Sequence, residues 1–293
     1  MNLEKYYRPS VYSALSQESE QFDFIQFAQD LINDYENQTT SKYTIYIPSK
    51  GRPDTITTYK HCEGLNYKVV VEPQDYDSYL NTFGANYLVK MNKNDQGLPY
   101  ARNFIKNYSI EQGEEYHWQF DDDLKNFLIR VGNKNIKTNP VNCMSIIEQI
   151  MDLFSNISIS SMTDVSYAFA KKQPVRLNYL AYCCILVNNS VDVSWRKGTV
   201  EDWDYTLLSL DKNYCTLPFC HVLFEAHNTG ANPGGNQLTE WSTEEKRKEH
   251  YQNFVNLWPK YFSVGEHRTK TRIWSLRPKR TINVYKQQPI LKR

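Results

Sequence analysis

Three consecutive carboxylates follow an aromatic segment near the middle of the chain. Asp121, Asp122 and Asp123 come directly after Tyr116–Phe120, whose aromatic residues favour a β-strand. The two-residue period of a strand would place Asp121 and Asp123 on the same side at its end. Adjacent carboxylates repel one another, and hard oxygen ligands suit Mg²⁺ or Mn²⁺. The spacing therefore indicates a divalent-metal site, and the alternative is a solvated acidic turn that begins the next segment.

A second acidic cluster begins a predicted helix further along the chain. Glu201, Asp202 and Asp204 precede an inner helical face that contains Tyr205 and Leu208. Acids in a first helical turn are common caps and dipole partners, so the cluster has a structural interpretation. A carboxylate within hydrogen-bond reach of a substrate hydroxyl can also remove its proton, so the cluster has a catalytic interpretation as well.

Two cations lie in a loop that follows the first predicted strand. The loop Pro48-Ser49-Lys50-Gly51-Arg52 comes after a strand predicted over Tyr43–Ile47. Pro48 is expected to end that strand, because proline cannot donate to a β-ladder. In an open α/β sheet, ligands bind at the carboxyl ends of the strands. Lys50 and Arg52 are therefore candidates for contacts with phosphate groups.

A helix predicted after Gly97 leads directly into the segment with the three aspartates. Pro99 occupies its first turn, Gly113 ends it, and Arg102 and Asn103 lie near its start. Arg102 is a candidate ligand contact, and the alternative is a solvated charge on the helix surface.

Strands and helices alternate along most of the chain. Further strands are predicted over Lys68–Glu72, Tyr87–Met91, Val165–Ala170, Ala181–Val187 and Phe219–Ala226, and an exposed helix over Glu244–Leu257. This alternation predicts an α/β fold with a mostly parallel sheet flanked by helices. We expect a helical lead-in over residues 1–40, the main domain over 41–240, and a C-terminal helix and basic tail over 241–293 packed on the same domain.

The charge of the chain is distributed unevenly. Residues 268–293 contain nine Lys or Arg and no acid, so the first 267 residues carry a net charge of −8 within a total of +1. Clustered cations with aromatic residues such as Trp274 suit nucleic acid, although basic tails also bind anionic membranes or nothing in particular. His227 precedes the glycine-rich stretch 228–236, which is either a mobile flap over a site or an ordinary surface loop.

Cysteine usage and hydropathy bear on the compartment. The six cysteines show no CxxC pair and no metal-ligand spacing, which indicates reduced thiols in a cytosolic protein. The N-terminus lacks the pattern of a signal peptide, and no apolar run is long enough to span a membrane. We therefore expect a cytoplasmic protein, located in the host cytoplasm if a phage encodes it.

The ordered set of motifs resembles the GT-A class of nucleotide-sugar glycosyltransferases over about residues 43–230. A narrower resemblance is to the phage-associated glycosyltransferases found alongside TET/JBP-type oxygenases, which decorate hydroxylated DNA bases. The motifs that carry it are, in order, Pro48-Ser49-Lys50-Gly51-Arg52, Ala101-Arg102-Asn103, Phe120-Asp121-Asp122-Asp123, Glu201-Asp202-Trp203-Asp204 and Gly234-Gly235-Asn236. No Gly-x-Gly-x-x-Gly is present, so a dinucleotide-binding fold is not indicated.

The resemblance implies a role for each candidate residue. It makes Asp202 the general base, with Glu201 or Asp204 as alternatives that orient the acceptor, and it adds His227 to Asp121 and Asp123 as a metal ligand, although a lone histidine is often structural. It also places part of the loop after the first strand near the nucleoside. The candidate donor contacts are Pro48, Ser49, Lys50, Arg52, Arg102, Asn103, Asp121 and Asp122, and the candidate acceptor contacts are Asp204, Gly234, Gly235, Asn236 and Trp274.

The resulting hypothesis is an inverting glycosyltransferase that uses Mn²⁺ or Mg²⁺. Its donor would be a UDP-sugar, and its acceptor a hydroxylated cytosine-type base in phage DNA. A second hypothesis keeps the enzyme but changes the acceptor to a glycan or a protein. A third is a non-catalytic nucleic-acid-binding protein that retains a nucleotide-binding fold, and the intact acidic triplet argues against it.

Overall fold

The computed structural model describes residues 23–170, 172–227, 235, 241–266, 273–279 and 285–292. Nine of the described strands form one sheet in the order β3-β2-β1-β4-β8-β7-β9-β5-β6. They are β1 (Ile45–Ser49), β2 (Tyr67–Val71), β3 (Leu88–Lys90), β4 (Tyr116–Gln119), β5 (Leu124–Val131), β6 (Lys134–Thr138), β7 (Ile157–Asp164), β8 (Ile185–Asn188) and β9 (Cys215–Ala226). A separate hairpin contains β10 (Phe262–Glu266) and β11 (Trp274–Pro278).

Helices cover the sheet and bury its apolar side chains. They are α1 (Phe24–Asn33), α2 (Tyr76–Phe83), α3 (Leu98–Glu111), α4 (Pro140–Leu153), α5 (Glu201–Asp211) and α6 (Glu244–Leu257). The largest apolar cluster lies between the sheet and α1 and α4, and a second cluster joins α3 to β1 and β2. The predicted α/β fold, with a mostly parallel sheet flanked by helices, is confirmed.

Most strands of the sheet run in one direction. The pairings β1 with β2, β2 with β3, β1 with β4 and β7 with β9 are parallel, and only β5 and β8 run against the others. The carboxyl ends of β1, β4 and β9 therefore lie at the same edge of the sheet. The chain segments that follow Ser49, Gln119 and Ala226 meet there.

The first strand continues through Pro48 to Ser49, so the expectation that Pro48 ends it was wrong. The Tyr46 carbonyl accepts a hydrogen bond from the Phe120 N–H at 3.0 Å, and backbone groups alternate sides along a strand. Position 48 therefore faces β4 as well, beyond the point where β4 ends at Gln119. Because no ladder bond is required there, the missing N–H of proline costs nothing.

Two other predicted strands were also wrong in part. Residues Val165–Ala170 form a 3₁₀-helix, because the Asp164 carboxylate accepts the Ser166 N–H at 2.8 Å and turns the chain. Between residues 181 and 188 only Ile185–Asn188 is a strand. Cys183 just before it has a φ of +59°, a left-handed conformation that interrupts an extended backbone.

The C-terminal residues return to the main sheet. Phe262 in β10 contacts Trp203 in α5 with ring centroids 5.1 Å apart, and it contacts Phe254 in α6 at 5.0 Å. The last described segment, 285–292, accepts a hydrogen bond from the Ser155 N–H at the Ile290 carbonyl, 2.8 Å away. None of the helices in the described residues is long and apolar enough to span a membrane.

Deleting residues 285–293 should destabilise the protein. The deletion removes the partners of Ser155 and Asn156 and the backbone bridge from Leu291 to Phe154. We expect the free energy of unfolding to fall by about 2 kcal/mol or more, since each such hydrogen bond contributes about 1 kcal/mol, as measured by urea unfolding.

The control for this deletion is Lys292→Ala, which keeps the backbone of the segment and removes a partly exposed ion pair with Glu115 and a contact with the Tyr116 ring. It should change the free energy of unfolding by less than about 1 kcal/mol. A truncated protein as stable as the full chain would contradict the packing of this segment.

Candidate active site

The three aspartates lie in the turn between β4 and β5, and Thr58 holds that turn in place. The buried Thr58 hydroxyl donates to the Asp121 carbonyl at 2.6 Å and accepts the Leu124 N–H at 3.0 Å. The Thr57 N–H donates to the Asp122 carbonyl at 3.0 Å. The loop after β1 and the acidic turn therefore form one hydrogen-bonded unit. Thr58 gave no signal in the sequence, because its partners are main-chain atoms distant along the chain.

Asp122 points into the protein. Its side chain is 2% exposed and binds the Arg52 guanidinium through two contacts, Nε to Oδ2 at 2.8 Å and Nη2 to Oδ1 at 2.5 Å. The Ser49 hydroxyl donates to the same carboxylate at 2.5 Å and bonds the Tyr79 hydroxyl at 2.8 Å. Burial raises the pKa of Asp122, and Arg52 and Ser49 oppose that effect. The donor contacts of Ser49 and Asp122 stay predictions, and in this structure their side chains bind each other.

The two loop cations already have acidic partners. Lys50 Nζ lies 3.1 Å from the Glu72 carboxylate and 2.5 Å from Asp95 Oδ1, and Arg52 is committed to Asp122. Pro48, ahead of them on β1, is half-buried. A phosphate that approached this loop would meet cations whose charge is already balanced, so Lys50 would have to exchange partners to bind it.

Gly235 lies directly against the Arg52 guanidinium. A Cβ at this position would lie 3.1 Å from Arg52 Nη2, and the φ of Gly235 is +68°. A side chain is therefore excluded by both contact and backbone conformation. Gly234 and Asn236, the other candidate acceptor contacts of this loop, lie outside the described residues.

Arg102 connects the acidic turn to the start of α5. Its Nη2 lies 3.4 Å from Asp121 Oδ1 and 3.9 Å from Asp202 Oδ1, and its side chain is 1% exposed. The donor contact of Arg102 stays a prediction, and in this structure its guanidinium faces the two carboxylates. The buried charge holds two carboxylates from distant parts of the chain beside each other.

Asp202 has the environment of a proton acceptor. Burial raises the pKa of its carboxyl, Arg102 lowers it, and Asp121 raises it again. The side chain remains about one quarter exposed, so it is accessible to a substrate. Glu201, in the same helical turn, is half-buried. Cys183, whose backbone is in the left-handed conformation, also lies here, and its thiol is hydrogen-bonded to Asp121. No sequence pattern indicated this residue.

Asp123 and His227 meet at the ends of β4 and β9. The His227 N–H donates to the Asp123 carbonyl at 3.1 Å. Burial, Asp121 and Asp122 together raise the pKa of Asp123 to about 7. A bound cation would favour the ionised form of such a carboxyl, and oxygen donors with one imidazole suit a divalent ion. In the described part of the chain, no three acidic, histidine or cysteine side chains are yet grouped at ligand spacing.

Two of the predicted contact residues have structural partners. The Asn103 side chain donates to the Trp195 carbonyl at 2.8 Å and accepts the Trp195 N–H at 2.9 Å. Asp204 is completely buried, and it binds the Arg196 guanidinium at 2.8 and 2.5 Å and the Trp258 indole N–H at 2.7 Å. The donor role of Asn103 and the acceptor role of Asp204 stay predictions.

Trp274 belongs to the C-terminal hairpin. It lies on β11, half-buried, with Lys248 Nζ of α6 4.0 Å from its ring centroid. This arrangement places an aromatic ring and a cation together on one surface, and the acceptor role of Trp274 stays a prediction.

The family to which this α/β chain with its acidic sheet edge belongs makes it a nucleotide-sugar glycosyltransferase. The chain belongs to the TET-Associated Glycosyltransferase family, whose model matches residues 43–235. This match confirms the resemblance inferred from the motifs.

Solved structures show more distant similarity. A mycobacterial protein has a TM-score of 0.46 at 9% identity, over 90% of this chain and 89% of its own. A structure of GalNAc-T7 with UDP, GalNAc and Mn²⁺ has a TM-score of 0.36 at 10% identity, over 75% of this chain and 53% of its own. No curated protein matches the chain.

Removing the charge of Asp122 and removing the charge of Asp123 should have different effects on the stability of the protein. Asp122→Asn breaks a buried ion pair and leaves the Arg52 charge without its partner, so we expect a loss of about 3 kcal/mol in unfolding free energy. Asp123→Asn relieves repulsion from its neighbours, so stability should be unchanged or slightly higher. Urea unfolding of both variants makes the comparison, and equal destabilisation would contradict these assignments.

Proposed function

We propose that the protein transfers a sugar from a UDP-sugar to a hydroxylated cytosine-type base in DNA, with inversion at the sugar. The observation that carries the chemistry is the placement of Asp202 beside Asp121 by the buried Arg102. A candidate base is thereby held next to the candidate donor site. The acceptor is supported by the family description, which associates these glycosyltransferases with TET enzymes.

Asp202 would remove the proton of the attacking hydroxyl as the new glycosidic bond forms. Its raised pKa favours proton acceptance near neutral pH. Arg102 would hold the carboxylate in position and oppose repulsion from Asp121. A carboxylate that acts as base on the face opposite the leaving group gives inversion of the anomeric carbon.

The diphosphate leaving group requires positive charge. Asp121, Asp123 and His227 would hold a Mn²⁺ or Mg²⁺ ion, whose Lewis acidity would stabilise the departing UDP. Among the described residues of the β1 loop, Lys50 is the candidate for an added contact with the phosphates. It would have to release Asp95 in order to bind them. Arg52 would act through Asp122 by keeping the acidic turn in place.

The direct test is mass spectrometry of nucleosides after incubation of the protein with hydroxymethylcytosine DNA, Mn²⁺ and a panel of UDP-sugars. A hexosyl or pentosyl adduct on the modified cytosine would support the proposal. UDP release with a glycan or protein acceptor and no adduct on DNA would favour the second hypothesis instead. If no UDP is released with any donor, the proposed glycosyltransferase activity is contradicted.

Asp202→Asn should separate donor binding from transfer. The amide keeps the shape of the side chain but cannot accept a proton, so transfer should fall by about 10²-fold or more. Affinity for the UDP-sugar should persist. The matched control is Glu201→Gln in the same helical turn, which should retain most of the transfer rate. Equal losses in the two variants, or a product with retained configuration, would contradict the assignment of Asp202.

Removal of the cation beside Trp274 should weaken DNA binding. Lys248→Ala should lower DNA affinity and reduce the slope of log affinity against log salt by about 0.9, the value for one neutralised phosphate. Hydrolysis of the donor should not change. The control is Lys134→Ala, an exposed cation on the edge strand β6. If the slope of log affinity against log salt is the same in both variants and in the wild type, Trp274 and Lys248 do not bind DNA and their contact is structural.

A further inference from the structure

The inner face of β4 carries a buried polar network that reaches Arg102. His117 and Gln119 are completely buried on this face, whereas Trp118 between them points to the opposite side of the strand. Buried polar groups are expensive unless every donor finds an acceptor. Each hydrogen bond of the network therefore needs a donor on one side and an acceptor on the other. The assignment of donors and acceptors starts at the end of the network that lies away from Arg102.

Asn189 sets the direction of the network. Its side-chain nitrogen donates to the Ser109 hydroxyl and to the Glu114 carbonyl, both at 2.8 Å. Its oxygen therefore faces His117 Nδ1 at 2.8 Å, and because an amide oxygen only accepts, Nδ1 must carry the proton. Burial lowers the pKa of His117 to about 3, so the ring is neutral. Its Nε2 then has a free lone pair.

The direction continues through Gln119 to the guanidinium. Gln119 Nε2 lies 2.9 Å from His117 Nε2 and 3.2 Å from the Arg102 carbonyl, so the amide nitrogen donates to two acceptors. Its oxygen is therefore turned toward Arg102 Nη1, which donates to it at 3.3 Å. A reversed amide would place its N–H groups against the cationic guanidinium and its oxygen against the Arg102 carbonyl, and the lone pair on His117 would lose its donor.

The hydrogen bond with Gln119 helps to fix the orientation of the Arg102 guanidinium. Arg102 Nε is buried, and it has no hydrogen-bond partner among the described residues. Nη2 donates to Asp121 Oδ1 at 3.4 Å and lies 3.9 Å from Asp202 Oδ1. The bond from Nη1 to Gln119 at 3.3 Å and the bond to Asp121 therefore together fix the plane in which the guanidinium meets the two carboxylates.

We propose that Gln119, oriented by His117 and Asn189, is a positioning residue that holds the Arg102 guanidinium between Asp121 and Asp202. This inference rests on the proposed function of Asp202 as base. Loss of the Gln119 oxygen would let the guanidinium turn, and the Asp202 carboxylate would no longer be held beside the donor site. Transfer would slow, although the donor contacts would remain.

Three variants of β4 test the proposal. Gln119→Met keeps the length of the side chain but removes its oxygen, so kcat for transfer should fall about 10-fold or more with KM for the UDP-sugar within about twofold. Gln119→Glu keeps an oxygen toward Arg102, and in the neutral form that burial favours its hydroxyl can still donate to His117 Nε2, so it should recover most of kcat. Trp118→Phe is the control, because it removes a buried hydrogen bond to Glu148 on the other face and should lower stability without lowering kcat.

A second measurement does not depend on the acceptor. Nitrogen NMR of the Arg102 side chain, assigned with Arg102→Lys, reports rotation of the guanidinium. We expect slow rotation in the wild type and Trp118→Phe, and fast rotation in Gln119→Met. If wild-type protein modifies no DNA but Arg102 behaves as expected, the acceptor is wrong and the positioning role stands. Unchanged rotation in Gln119→Met, or a kcat loss that Gln119→Glu does not recover, would overturn the proposal.

Discussion

Repulsion among three consecutive carboxylates is the constraint on which the site depends. The protein meets it with two arginines: the half-buried Arg52 binds Asp122, and the buried Arg102 faces Asp121. Each arginine comes from a different element, so neutralising the turn also fixes the β1 loop and α3 against it. Burial first, and then repulsion from Asp121 and Asp122, raises the pKa of Asp123 to about 7, and Arg52 offsets these effects only in part. The residual negative charge is concentrated where β9 delivers His227, and it is the feature that suits a cation.

Strand direction explains why residues far apart in the chain share this edge. The parallel pairing of β1 with β4 brings the loop after Ser49 to the acidic turn. The parallel relation of β7 and β9, reached through β8, brings His227 to the same side. The N-terminus of α5 then supplies Asp202. The sheet thus brings the acidic side chains to the same edge, and the two arginines reduce the repulsion between the carboxylates gathered there.

The elements and the site's location could be predicted from sequence, but the orientation of its side chains could not. Hydrophobic periodicity located β2 and α6 well, because each has a clear buried face. Composition could not show that Asp122 turns inward and Asp123 does not, since adjacent identical residues differ only in their tertiary partners. Asn103 has the same limitation: it lies in a motif typical of donor sites, but it binds the backbone of Trp195. A three-dimensional partner decides each role.

The anchoring of Asp204 has a consequence for how this enzyme can be re-engineered. Asp204 lies on the same helix as Asp202, and one of its three hydrogen-bond donors is the indole of Trp258, which follows α6. A chimaera that exchanged the C-terminal segment for one from a relative would strip a donor from a fully buried carboxylate. The C-terminal segment is therefore not an exchangeable module, and any graft must carry a tryptophan or an equivalent donor at the splice to satisfy the Asp204 carboxylate on α5.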